Sequence, residues 1–346
     1  MYLTKTAYIP MEVIQTEKYK KAARICLQLL GIVILIFSSE TARRGALEGI
    51  DLCLHTLIPS LFPIMVLTSS FLKTAQSMPI PLMKTLRKIC KIPLESENIL
   101  ISGLLGGYPI GAKLTAISYE NGSIEKPDAQ RMLAFCNNAG PAFIFGVISH
   151  VFSSVAIPLT LWVIHILSAI VTGCLIPGTS KTAKRLPRAN NNDKQPLMNH
   201  CVNTMGIICG WVILFRIIIA YFHQIIPNHS SPEIIVIIAG LLELTNGCTL
   251  LHTIANPAVR FLICNGLITF GGLCVTMQTT EIAHTVGLKY YLPGKLLQTS
   301  ISMLISLFLQ IPLFHISIPL KYAVTLTLIC IFIMAMVMYR FYWKKQ

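Results

Sequence analysis

The sequence predicts an all-α polytopic membrane protein, with about eight transmembrane helices plus two broken or re-entrant hairpins in two inverted repeats. Three observations carry that expectation. First, the 346 residues are 54% hydrophobic and 12% charged, with a mean hydropathy of +0.66, which is membrane-protein composition. Second, the lysines and arginines sit in short clusters between apolar runs, the pattern that the positive-inside rule produces. Third, four apolar stretches are interrupted by small and amide residues. They are 102–114 (SGLLGGYPIGAKL) and 134–146 (AFCNNAGPAFIFG) in the first half, then 239–251 (AGLLELTNGCTLL) and 268–279 (ITFGGLCVTMQT) in the second. Lipid cannot hydrogen-bond a backbone, so such breaks survive at membrane depth only inside protein or along a wet cavity. Breaks at corresponding places in two halves point to a transporter's binding site.

Taken along the chain, the spans fall at 22–42, 48–72, 131–150, 154–176, 205–226, 257–278, 293–313 and 319–339. The stretches 97–119 and 234–252 either span or enter and leave on one side. The chain divides into a cytoplasmic N-terminus and first helix (1–44), a first repeat (45–176), a basic cytoplasmic linker (177–203), a second repeat (204–313), and a last helix with a basic tail (314–346). The run 25–37 follows Lys18, Lys20, Lys21 and Arg24 but lacks a small-x-small cleavage site, so it reads as a retained helix rather than a signal peptide. With the N-terminus inside, 22 of the 28 Lys and Arg lie on the cytoplasmic side, Lys289 and Lys295 among them. Both termini are therefore expected in the cytoplasm.

The interruptions supply the candidate site residues. Gly106, Gly107 and Gly111 with Tyr108 and Pro109 would unwind the chain and turn backbone amides toward a ligand, with Lys113 one step beyond. Close helix packing through small residues is the plainer alternative. Asn137 and Asn138 place two adjacent amides in an apolar run, suited to carboxylate or base-edge recognition, or to interhelical hydrogen bonds. Thr245 and Asn246 form the matching polar knot, and Gln278 closes the last motif. Glu243 is an ionisable group at membrane depth and so a functional candidate. It either takes a proton or Na⁺ or neutralises Lys113 or Arg216; Arg216, near mid-span, favours a structural pair. Asp51 and His55, one turn apart, read as a polar pair near the interface.

Other classes fit poorly. The basic clusters are explained by topology, so nucleic acid is not an expected partner. The 11 cysteines, an odd number without CxxC or zinc spacing, read as small hydrophobes, and no metal or other cofactor is expected. There is no HExxH, no GxGD, no aspartate pair in the spans and no P-loop, so the protein is not expected to be an enzyme. The expected partners are the lipid bilayer and a small anionic solute, with a homo-oligomer allowed.

The motifs at 57–67 (LIPSLFPIMVL), 103–113 (GLLGGYPIGAK), 131–146 (RMLAFCNNAGPAFIFG), 240–247 (GLLELTNG) and 270–278 (FGGLCVTMQ) resemble, in order, those of the YlbJ/SpoVV family of sporulation integral membrane proteins. That family carries the nucleoside-recognition "Gate" domain. One position departs from it, since Thr276 stands where the family pattern has a histidine. The resemblance implies a multi-pass protein of the mother-cell-derived outer forespore membrane. It implies transport of dipicolinic acid during endospore formation, on a fold like that of concentrative nucleoside transporters. A nucleoside or other small-metabolite carrier, or a non-transporting scaffold for spore cortex or coat assembly, remains open from the residues.

Overall fold

The computed structural model describes residues 11–75, 81–93, 96–152, 154, 156–178, 196–225, 230–314 and 320–342. The basic stretch at 179–195, the core of the expected linker, lies outside the described residues, as do 1–10 and 343–346. Among the described residues the regular structure is entirely helical. Among the described residues, six helices are long and apolar enough to cross a membrane: Ser39–Phe71, Ala156–Leu175, Leu197–Ile225, Pro257–Ile282, Tyr291–Leu309 and Ala323–Tyr342. The protein is a polytopic α-helical membrane protein.

Helix α1 (Met11–Phe37) leads almost directly into α2 (Ser39–Leu52). A wider turn at Cys53–Leu57 joins α2 to α3 (Ile58–Ala75). The loop expected between spans 22–42 and 48–72 is therefore helix. Its residues favour that, with Glu40 and Arg43 paired at 2.8 Å across one turn. Gly45 and Gly49 bring α2 against α10 (Leu197–Ile225). A Cβ on either would stand 2.8 Å from the Ile217 Cα or 2.9 Å from the Ile213 Cα, so small residues set this close crossing. After the short α4 (Pro81–Cys90) comes a helical hairpin, α5 (Glu97–Gly106) and α6 (Ile110–Glu120). Both of its arms pack on the carbonyl of Cys136, through Gly103 and Gly111.

The expected span 131–150 is an interrupted one. Helix α7 (Lys126–Cys136) ends at an extended segment, Asn137 to Gly140, and Pro141 opens the short α8 (Pro141–Gly146). A proline at a helix start gives up no needed donor. Helix α9 (Ala156–Leu175) completes the first half.

The second half repeats this order. After α10 comes a hairpin of α11 (Pro232–Leu242) and α12 (Leu244–Leu250), folded so tightly that Gly247 meets the backbone of Gly240. A broken helix follows, α13 (Pro257–Phe270) and α14 (Gly272–Ile282). Helix α13 is capped by Asn256, whose Oδ1 accepts the Ala258 and Val259 amides at 2.9 and 3.2 Å. It stops at Gly271, with φ of 85°. Helix α15 (Tyr291–Phe314) packs on α13, α9 and α7, and α16 (Leu320–Tyr342) lies against α15. The broken helix is 61% buried over its span window and Ser39–Phe71 only 17%. The breaks are thus central, while the exposed apolar faces of α1, α2, α3 and α16 form the lipid side.

Candidate functional site

All four interruptions meet. Gly107 has φ of 76°, and a Cβ on it would lie 2.8 Å from the Gly140 nitrogen. A Cβ on Gly140 would lie 2.7 Å from the Gly107 nitrogen, so the first hairpin tip and the first broken helix touch backbone to backbone. In the second half Gly272, with φ of 76°, stands where a Cβ would be 2.8 Å from the Gly240 carbonyl oxygen. The halves are tied by Tyr108, whose hydroxyl donates to the Ile268 carbonyl at 3.0 Å. The Tyr108–Pro109 peptide is cis.

Between the breaks and the inner faces of α3 and α10 lies a cavity. Its polar lining comes from Gly106, Gly107, Tyr108, Gly140, Glu243, Thr245 and Gln278, and its walls from apolar side chains such as Leu57, Met65 and Val212. Glu243 caps its own hairpin. One carboxylate oxygen accepts the Thr245 amide at 2.9 Å, and the other accepts the Asn246 amide and side-chain Nδ2, each at 2.7 Å. This satisfies two of the donors that every helix start leaves open. Gln278 donates to the Cys274 sulfur at 3.4 Å, a weak acceptor.

Several expected site residues do other work. Asn137 and Asn138 are fully buried behind the cavity wall. Asn137 donates to Thr279 Oγ1 at 2.8 Å, and Asn138 donates to the Phe135 carbonyl at 2.6 Å. Asn138 Oδ1 accepts from Lys295 at 3.2 Å and from Gln298 at 3.0 Å. The two side chains thus meet groups on α7, α14 and α15 rather than the cavity. The break also frees the Ala139 N–H, which donates to His165 Nε2 at 3.1 Å. Lys113 meets His200 Nδ1 at 2.7 Å. Arg216 pairs with Glu48 at 2.6 Å rather than with Glu243, in an open cleft that Asn246 also lines on another side of α12. Pro109 and Gly111 shape the hairpin tip without lining the cavity. Asp51, at the end of α2, and His55, in the wider turn that follows, pair at 2.8 Å, both exposed.

The structure adds residues that sequence reasoning passes over. Lys295, near the start of α15, is fully buried rather than set in an exposed position. With Gln298, His165, Thr269 and Ser302 it forms a polar layer behind Tyr108 and Asn138. The available signal is the spacing: Lys295, Gln298 and Ser302 fall at i, i+3 and i+7, one face of an apolar helix. Arg131, also buried, donates to the carbonyls of Ile176, Lys91, Gly173 and Cys90.

Two helical hairpins and two broken helices meeting at one cavity define the class, a polytopic α-helical membrane protein with interrupted spans. The chain is similar to "Sporulation integral membrane protein YlbJ" of Bacillus subtilis (strain 168), at 21% identity over 331 residues. That likeness spans 81% of this chain and 80% of that protein. It bears out the family resemblance that the motifs carry. No family model matches the chain, and no solved structure matches it.

Proposed function

We infer that this protein is a carrier for a small anionic metabolite, with dipicolinate the first candidate and endospore formation the setting. The observation that supports this is the meeting of four helix breaks at one cavity. Irregular backbone at membrane depth is otherwise costly. Apolar walls suit a flat ring, and Tyr108, Thr245 and Gln278 offer hydroxyl and amide groups to its substituents. The setting follows the printed name of the relative. In this reading both termini are cytoplasmic, the membrane is the outer forespore membrane, and the solute crosses unchanged, so the protein is not an enzyme.

One observation favours a second reading. Glu243 lines the cavity and no Lys or Arg does, which suits a neutral solute, such as a nucleoside, accompanied by a cation. Uptake of labelled dipicolinate into proteoliposomes, with nucleosides as competitors, separates the two. Saturable uptake that nucleosides leave unchanged supports the anion carrier. Nucleoside uptake alone supports the second reading. Neither, from folded protein, replaces both with a scaffold.

A further inference from the structure

Lys295 is the fifth residue of α15 and is buried to 0% exposure. Its Nζ lies 3.2 Å from Asn138 Oδ1, 3.0 Å from Gln298 Oε1 and 5.4 Å from the centre of the Tyr108 ring. Among the described residues no carboxylate lies within ion-pair distance of it. The titratable groups around it are Cys136 from α7, His165 from α9, Tyr108 from the first hairpin, and Tyr291 one turn earlier on α15. Helix α13 contributes the neutral Thr269 to the same layer, and α16 packs on α15 through apolar Val337 and Phe341.

An ammonium has three N–H donors. Here two meet amide oxygens and the third direction holds only an aromatic face. Loss of one proton leaves an amine whose remaining two N–H groups still serve both amides, so the same partners accommodate both states. Burial without a countercharge opposes the proton, while the amide oxygens and the ring favour it. That opposition is what an exchangeable proton requires. The site also touches the machinery on two sides: Tyr108 walls the cavity, and Asn138 belongs to the break that meets Gly107.

We propose that Lys295 is the proton-binding site of the carrier, so that one proton crosses with each solute. On loading, the amine takes a proton from hydronium and leaves water; on release, the ammonium returns it to water on the other side. This rests on the carrier reading above and assigns the coupling to H⁺ at Lys295, leaving Glu243 as the cap of its hairpin.

The test uses the full-length protein in sodium-free liposomes with a trapped pH dye, given dipicolinate and, separately, uridine. The lumen should acidify as solute enters, and an acid-outside gradient should raise initial uptake about tenfold. Lys295→Gln should lose both responses. Gln298→Glu, which sets a carboxylate against the ammonium, should move the pH dependence of uptake alkaline by about one unit. A merely structural lysine would not produce that shift, and this variant keeps the test open if Lys295→Gln fails to fold. Solute uptake without proton movement, or a Gln298→Glu profile identical to the wild type, overturns the proposal and leaves the carrier standing. No uptake or binding of either solute by folded protein removes the carrier reading, and this proposal with it.

Discussion

Gly140→Ala is the sharpest test of how the breaks fit together. Gly140 has φ of −88° and ψ of 168°, extended backbone that any residue adopts, so the objection to alanine is steric alone. The added Cβ would meet the Gly107 nitrogen at 2.7 Å, the Gly107 Cα at 2.8 Å and the Gly106 carbonyl carbon at 3.1 Å. All three are backbone atoms, and no flexible side chain can yield. Overpacking a tight site costs about 1–3 kcal/mol, and contacts with rigid backbone put this case near 3 kcal/mol. At about 2 °C per kcal/mol for a chain of this size, melting should fall by about 6 °C. Uptake should fall more steeply, because the alternative to unfolding is to separate the hairpin tip from the broken helix. The assay is thermal melting in detergent beside uptake in liposomes, with Gly206→Ala as the control. A Cβ on Gly206 meets nothing within 4 Å, and alanine should stabilise that helix by up to about 1 kcal/mol. If Gly140→Ala melts and transports like the wild type, the two breaks do not touch as described.

Other substitutions test separate parts. Glu243→Gln puts an amide nitrogen where N–H groups donate, so it should cost about 2 kcal/mol in melting and lower uptake, while the dependence on a proton gradient persists. Arg131→Lys replaces a planar five-donor group that serves four carbonyls with a point charge. Membrane abundance should drop several-fold by immunoblot. Asn137→Ala combined with Asn138→Ala removes the ties to Thr279, Lys295 and Gln298; uptake should be lost, and full activity would contradict the role of this layer.

The class and the four interruptions were legible because composition and breaker residues act locally. Glycine at 107 or 272 and proline at 141 disturb a helix whatever surrounds them. What the interrupted segments do is not local. Whether Asn137 and Asn138 face a solute depends on the dihedrals of 137–140, which tertiary contacts set. Lys295 misled for a related reason. A charge near the end of an apolar run reads as an interfacial anchor, and only the packing of α15 on α7 and α9 makes it a buried group. The gap left between the spans 22–42 and 48–72 misled in the opposite sense, since the pairing of Glu40 with Arg43 and the packing of Gly45 and Gly49 on α10 carry helix through it.

The two hairpins differ in how they are anchored, and that difference predicts which of them moves. The first is tied outward by Tyr108 to Ile268, Lys113 to His200, Glu97 to Arg87 and Glu120 to Thr285. In the second, the hydrogen bonds of Glu243, Asn246 and Thr249 all close within the hairpin. What holds it in place is packing, chiefly of Gly240 against Leu267 and Gly272. If two or three of the outward bonds contribute about 1 kcal/mol net each, opening the first hairpin is harder by a factor of about 30–160. Amide exchange in detergent should therefore be faster in α11 and α12 than in α5 and α6, and a bound solute should slow it most around Thr245. Equal exchange in the two hairpins would mean that packing alone fixes the second as firmly as hydrogen bonds fix the first, and the moving element would have to be sought in the broken helices instead.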